Sequence, residues 1–346
     1  MNIKRIGIDL AKQVFQLHGV DSHEQIVLRK RLKREQMHRF FKELPPCLIG
    51  MEACGGSHYW ARVLMGYGHT VKLMACQFVK PYVKGGKNDA NDAEAICEAV
   101  SRPGMRFVTI KTEEQQAMQA DHRIRSRLVK VRTALGNEIR GLLAEFGIVL
   151  PAGIRQVRQA MPILLEDEEQ KLPASIKSLL AELAHELRQT DDRVEQHDKR
   201  IQAAVKEDER IQRLLEIEGI GPITASALVA AVGDATQFAN GRNMAAWLGL
   251  VPSQHSSGGK ERLGHISKRG DTYLRTLLIH GARAALNTSA GKEDRRSRWA
   301  QALATRRNRN IATVALANKN ARIAWAVLSR QEMYRSAIIN DGTVRQ

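Results

Sequence analysis

Four acidic residues stand where a chain could gather carboxylates. They are Asp9 in RIGIDLAK, Glu52 in LIGMEACGG, and Asp89 with Asp92 in GGKNDANDAEA. Asp9 closes an apolar run, and Glu52 repeats the pattern after Cys47-Leu48-Ile49-Gly50-Met51. An acid in such a place is costly unless it is paired, hydrogen-bonded or bound to metal. Gly55 and Gly56, just beyond Glu52, leave room for a backbone or ligand to approach. Asp89 and Asp92, spaced i, i+3, share one face of a helix. They also have a plainer use: Asn88 or Asp89 can cap that helix, with Asp92 in a first turn that favours negative charge. A cluster of oxygen donors with open positions suits Mg²⁺. Two such ions would sit roughly 3.5–4 Å apart and neutralise charge developing on a phosphodiester.

The elements that must position these acids can be read from periodicity. IKRIGID alternates and ends in a polar turn; VFQLHGV and QIVLRKRL read as the next two strands of an antiparallel meander. KREQMHRFFKEL has helical spacing and stops at Pro45-Pro46. CLIGMEA is a short buried strand, HYWARVLMGYG a helix closed by Gly66 or Gly68, TVKLMA a fifth strand and DANDAEAICEAVSR a last helix. The order β-β-β-α-β-α-β-α over residues 1–110 predicts an α/β domain of RNase H-like type, with one acid after the first strand, one after the fourth and a pair on the following helix.

Residues 111–206 read as long helices. Ile124, Leu128, Val131, Leu135, Leu142 and Phe146 form one stripe. A second, from Ile176 through Leu180, Leu183, Leu187 and Val194 to Ile201, keeps a seven-residue frame through polar Thr190 and His197. That frame argues for a coiled coil between chains or a hairpin within one, and its polar positions can set register. GIVLPAGIRQVRQAMP, between the stripes, reads as the reversal. The basic run HRIRSRLVKVR flanks the first stripe, where it could follow a phosphate backbone.

Residues 207–346 read as a helical, basic domain with Ala-rich helices in ARAALN and NIATVALANKNARIAWAVLSR. Its opening, Glu218-Gly219-Ile220-Gly221-Pro222, resembles a helix-hairpin-helix element in which Gly219 and Gly221 would expose N–H groups to a phosphate. A plain turn between helices is the alternative. A Ser- and Gly-rich loop, PSQHSSGGKERLG, follows, flanked by Lys260, Arg262, Lys268 and Arg269. Ser256 and Ser257 have no His–Asp partner evident in sequence. Serine in such a loop is ordinarily a turn residue, but metal or neighbouring positive charge can activate it.

Bulk properties agree with a polyanionic partner. The 346 residues carry a formal charge of +17, and from Lys260 onward 18 Lys or Arg face 6 Asp or Glu, a net of +12. Charge so localised points to a nucleic-acid surface, with a merely solvated basic face as the alternative. No apolar run approaches membrane-spanning length, and MNIKRIGIDL lacks a signal-peptide core, so a cytoplasmic protein with no membrane partner is expected, nucleoid-associated when on DNA. Cys47, Cys54, Cys76 and Cys97 make no CxxC or zinc pattern and are expected as reduced, mostly buried thiols.

GIDLAK, GMEACGG, NDANDA, IEGIGPITA, AAWLGLVP, SSGG and ISKRGDTYLRTLLIHGA, in that order, resemble the DEDD transposases of the IS-one-ten insertion-sequence group, which are bridge-RNA-guided recombinases. The resemblance spans nearly the whole chain. It implies a RuvC-like N-terminal domain, a coiled-coil middle and a C-terminal transposase domain. It also implies that Asp9, Glu52, Asp89 and Asp92 bind Mg²⁺ and that Ser257 attacks DNA to form a covalent phosphoserine, with Ser256 as the neighbouring candidate. The implied partners are donor and target DNA and a structured noncoding guide RNA, with base pairing supplying sequence recognition. Dimers pairing into a tetramer are implied too, the acids of one protomer meeting the serine of another. Two other readings fit the same residues: a RuvC-like junction resolvase or nuclease without guide RNA, and a non-catalytic nucleic-acid-binding protein.

Overall fold

The computed structural model describes residues 2–86, 88–166 and 172–334. The chain separates into two compact units, Met1–Glu113 with Val232–Gln237 and Glu114–Ala231 with Phe238–Gln346. The last residues of the expected C-terminal domain, 335–346, lie outside the described residues.

In the first unit, strands β1 (Arg5–Leu10), β2 (Val14–Val20) and β3 (Ile26–Lys33) form the antiparallel meander. Helix α1 (Gln36–Glu43), strand β4 (Leu48–Glu52), helix α2 (Ser57–Gly66) and strand β5 (Thr70–Met74) follow. A short helix α3 (Cys76–Val79), helix α4 (Asp89–Ala99) and a two-residue strand β6 (Phe107–Val108) complete the unit. The sheet order is β3-β2-β1-β4-β5-β6, with β4 parallel to both β1 and β5. The eight elements expected from periodicity are present. Helix α3 and strand β6 were not foreseen, being too short to show a period.

Alternation along the strands separates the two faces of the sheet. Ile6, Ile8, Ile49 and Met51 are fully buried and share a core with Phe15, Met37, Phe41 and Trp60. The other face of β1 and β4 carries Gly7 and Gly50 and receives α4.

The second unit begins with α5 (Glu113–Glu145), α6 (Ile154–Glu166) and α7 (Ala174–Glu207). The seven-residue stripe of α7 is covered within the chain: Leu180, Ala184 and Leu187 pack with Leu135, Ile139 and Leu143 of α5 and Val157 and Met161 of α6. Two expectations need correction. Residues 147–162 are not a simple reversal, since α6 fills most of them and adds an apolar face to the bundle. The stripe on α5 holds at Leu128 and Leu135, with Val131 and Leu142 partly buried, but Ile124 and, just past the helix, Phe146 are exposed, while Ile139 and Leu143, outside the stripe, are fully buried. The polar frame position His197 bonds Asp121 of α5 at 2.8 Å, which ties the register of α7 to α5.

Helices α8 (Glu209–Leu215) and α9 (Pro222–Val232) flank the glycine hairpin, and α10 (Gly241–Trp247) follows. A two-stranded ribbon, β7 (Pro252–Gln254) with β8 (Leu263–Ile266), leads to α11 (Thr272–Asn287), α12 (Arg295–Arg306) and α13 (Arg309–Arg330). Among the described residues no helix is long and apolar enough to cross a membrane. All four cysteines are free; Cys47 and Cys97 are buried, but Cys54 is half-buried and Cys76 exposed, so burial is less general than expected.

Candidate functional site

The acidic site is built by two parallel strands that repeat one pattern in register. Gly7 pairs with Gly50 and Ile8 with Met51, which sets Asp9 beside Glu52 at the ends of β1 and β4. The period of two puts Gly7 and Asp9 on one face, together with Gly50 and Glu52. That is the face α4 occupies. A Cβ on Gly7 would penetrate the backbone of Ala93 and Cys97, and a Cβ on Gly50 would lie 2.8 Å from Val100 Cβ. The glycines therefore form a trough that admits the helix, and Asp9, two residues beyond Gly7, meets its N-terminal turn.

Asn88 caps α4, its side chain accepting from Ala90 N at 3.0 Å, so neither aspartate is spent as the cap. Asp9, Asp89 and Asp92 each offer a carboxylate oxygen within 4.8 Å of the others. Glu52 is outside that trio. It acts on Asp9 through its charge. Burial comes first in raising the Asp9 carboxyl to about 6, and the charges of Asp89, Asp92 and Glu52 add to it. Desolvation first, and then the neighbouring Glu52 carboxylate, push the Cys76 thiol up to about 11, so it stays protonated. An all-oxygen donor set, with the pKa of one member raised by burial and then by its neighbours, fits a hard divalent cation. Gly55 and Gly56 border open space, with nothing within 4 Å of a Cβ at either. Gly56 adopts φ +85° at the start of α2.

Ser256 and Ser257 lie in the second unit, at the tip of the β7–β8 ribbon. Ser257 and Lys260 bridge across Gly258 and Gly259, whose φ angles are +57° and +75°. Two successive positive φ values are what a tight hairpin turn of this hand demands, and glycine supplies them without strain. The serines differ. Ser256 Oγ accepts from Arg262 N at 3.2 Å and from Gln254 Nε2 at 2.9 Å, holding the ribbon together. Ser257 is exposed, and its hydroxyl has no hydrogen-bond partner among the described residues. Lys260 and Arg262 are exposed near that tip, while Lys268 and Arg269, also exposed, lie at the base of the ribbon, where Lys268 N donates to the carbonyl of Gly249 at 3.2 Å.

The hairpin glycines are unlike one another. Gly219 has φ +88°, and a Cβ there would lie 2.8 Å from the carbonyl oxygen of Gly281 in α11, so close packing requires it. Buried Arg296 and Asn320 donate to the carbonyl of Glu218 at 2.9 and 3.0 Å, anchoring the loop. Gly221 is exposed with open space around it. The basic run of α5 divides by face. Arg125 pairs with Asp198 and Arg132 with Asp191, binding α5 to α7. Arg123, Arg127 and Lys130 instead line a cavity of ≈700 Å³ shared with Tyr273. Beneath it His122 bridges Tyr273 and Ser226 at 3.1 Å each, and burial lowers its pKa to about 4.

Comparison with known sequences decides the family. Residues 211–300 match the model described as "Transposase IS116/IS110/IS902 family", and residues 6–148 match a DEDD transposase model of the IS110 type. The chain is 62% identical to a probable family 20 transposase of Pseudomonas aeruginosa, over 97% of this chain and 99% of that one. The chain belongs to the IS110/IS116 family of DEDD transposases. The transposase is also 49% identical to the transposase for insertion sequence element IS1111A of Coxiella burnetii, over 96% of this chain and 92% of the other. It is 43% identical to that for IS1328 of Yersinia enterocolitica, over 96% and 99% respectively. Membership implies DNA substrates, cleavage and transposition, and its acidic domain implies use of a divalent metal.

Sequence reading missed three residues that shape the acidic cluster: Gly7, Gly50 and Cys76. The signal for the glycines was present as a repeated Gly-x-acid pattern, GID and GME, at the ends of two apolar strands. Nothing local marked Cys76, which meets Glu52 only through the fold.

Proposed function

We propose that the transposase is a Mg²⁺-dependent, RNA-guided, site-specific DNA recombinase that cleaves and exchanges strands through a covalent phosphoserine at Ser257. The observation that carries this reading is the division of labour in the ribbon: Ser256 is bound into the hairpin while Ser257 stands exposed at its tip without a partner. The sheet order with a parallel β1–β4–β5 core supports an RNase H-like assignment for the first unit. Asp9, Asp89 and Asp92 would hold the metal, with Glu52 completing the set. Bound there, Mg²⁺ supplies positive charge against that developing on the phosphoryl oxygens.

The chain's own part is to present a hydroxyl in a cationic surround. Ser257 Oγ forms a bond to phosphorus as the bond from phosphorus to the released strand breaks. The serine proton ends, through solvent, on the terminal hydroxyl of that strand. Because one phosphoester replaces another, a hydroxyl from a second strand can reverse the step and seal the exchange with no energy cofactor. Lys260, Arg262, Lys268 and Arg269 favour the approach of DNA or RNA phosphates. Guide RNA, assembly as dimers and tetramers, and completion of one site by two protomers rest on the family resemblance. The three-part division at residues 110 and 206 rests on the periodicity and composition of the sequence together with that resemblance.

The test is adduct trapping with nicked donor and target DNA, Mg²⁺ and the RNA transcribed beside the gene. A protein–DNA adduct is expected for the wild type and Ser256→Ala and not for Ser257→Ala. Metal-dependent strand hydrolysis with no adduct would instead make the protein a resolvase or nuclease, and no cleavage in any condition would leave a binding protein.

A further inference from the structure

A groove of ≈1480 Å³ opens in the second unit, between the strands that carry Ser257 and helices α12 and α13. Pro252 and Ile266 of the ribbon form one wall. Its cations are Arg242, Lys268, Lys319 and Arg322, and its lining contains no Asp or Glu. None of the four makes an ion pair among the described residues. Lys319 lies 4.3 Å from the centre of the Trp299 ring. Burial, followed by the charges of Arg295, Arg296 and Arg322, lowers the Lys319 pKa, so an incoming anion would relieve an existing repulsion. The remaining lining is mostly apolar, with Asn240, His265, Asn310 and Asn318 among it, and Ile311 on it is 55% exposed.

We propose that this groove holds an unpaired stretch of the DNA strand next to the phosphate attacked by Ser257, with bases on the Trp299 and Ile311 surface and phosphates on Lys319 and Arg322. The inference rests on the recombinase reading for the choice of DNA. Its physical basis is separate. A duplex hides its base faces and would leave the apolar floor uncovered, whereas an unpaired strand offers both base faces and phosphates, the two chemistries present here. The volume exceeds what a small ligand ordinarily fills and suits more than one nucleotide. The ribbon that ends in Ser257 supplies Pro252, Gly264, His265 and Ile266 to the groove, so groove and serine share one element.

The test is fluorescence anisotropy of the full chain with a labelled single-stranded DNA, its duplex and an RNA of the same sequence. Lys319→Gln, Arg322→Gln and Trp299→Ala are compared with wild type after thermal melting confirms their folding. Each variant should weaken single-stranded DNA binding by about tenfold while duplex affinity changes less than about twofold. A 5-iodouracil in the strand should photocross-link to Trp299. If Trp299→Ala does not fold, the two cation variants and the cross-link carry the test. Unchanged single-strand affinity, equal loss for duplex and single strand, loss confined to RNA, or a cross-link elsewhere would overturn the proposal. Binding is read without cleavage, so such a result would leave the Ser257 chemistry standing, and failure of that chemistry would not move this readout.

Discussion

Asp9 is the residue on which the acidic site turns, because three other carboxylates act on it at once. Its carboxyl is raised to about 6 in the folded chain from an ordinary value of 3.8. The metal-free protein should therefore hold its full Asp9 contribution below pH 4 and lose stability as pH rises towards and through 6, since the unfolded chain ionises first. Asp9→Asn removes that loss. At pH 7 without metal the variant should be more stable than wild type by about 1–2 kcal/mol after solvent screening, and the gap should close below pH 4. Melting temperatures across pH with chelator check this. The same change should lower cleavage by on the order of 10²–10³-fold. At the other pole, Ser256→Ala forfeits two ribbon hydrogen bonds and should cost about 1–2 kcal/mol with adduct formation retained. Ser257→Ala should leave melting unchanged and abolish the adduct. The places of Asp9 and Glu52 at the ends of β1 and β4 were legible in sequence, because an acid after an apolar strand is expensive without a purpose, but that Glu52 stands apart from the Asp9–Asp89–Asp92 trio was not. That Asn88 rather than Asp89 caps α4, and that Ser256 rather than Ser257 is tied down, depends on side-chain partners that spacing does not reveal.

Helix α4 is the element that assembles the site, and its seat is the pair of glycines beneath it. Gly7→Ala puts a methyl into backbone, so the helix must lift. A loss of about 3 kcal/mol is expected, at the upper end for overpacking, together with loss of cleavage although every acid remains. Gly50→Ala meets only the Val100 side chain, at 2.8 Å. It should cost less, and Val100→Gly, which takes away the clashing Cβ together with the methyls, should restore part of the stability and activity. Double-mutant melting and cleavage assays check the rescue; no recovery would mean that α4 is not held by this contact. The first-unit elements could be read from periodicity because their strands are half-buried and their helices amphipathic. The long helices were harder. α5 buries different residues along its length, with Leu128 covered and Ile124 and Phe146 open, so a single stripe misstated its packing. α6 was taken for a turn because Gly147, Pro151, Gly153 and Pro162 crowd the segment, yet Val157, Met161 and Leu164 bury one helical face.

At the scale of the molecule, carboxylates and serine belong to different units, and basic charge gathers in the second. Nucleic-acid affinity should fall steeply with salt, with a log–log slope steeper than about −4, each phosphate engaged contributing about 0.9. Charge reversal at Lys260 and Arg262 should flatten that slope with little effect on melting. A flat response in the wild type would remove the basic quarter from the binding surface. Net charge and its position were visible from composition alone. The two-unit division was not, since it depends on long helices clustering with the C-terminal helices, a contact that no local pattern announces.

The central claim is that Asp9, Asp89 and Asp92, with Glu52 beside them, hold a divalent cation. Its most direct measurement is Mn²⁺ titration of the full chain followed by electron paramagnetic resonance, at pH values from 5 to 8. Wild-type affinity should rise with pH about a midpoint near 6, releasing a proton on binding, and should be lost in Asp9→Asn and Asp92→Asn. Equal Mn²⁺ affinity in wild type and both variants, without pH dependence, would contradict it.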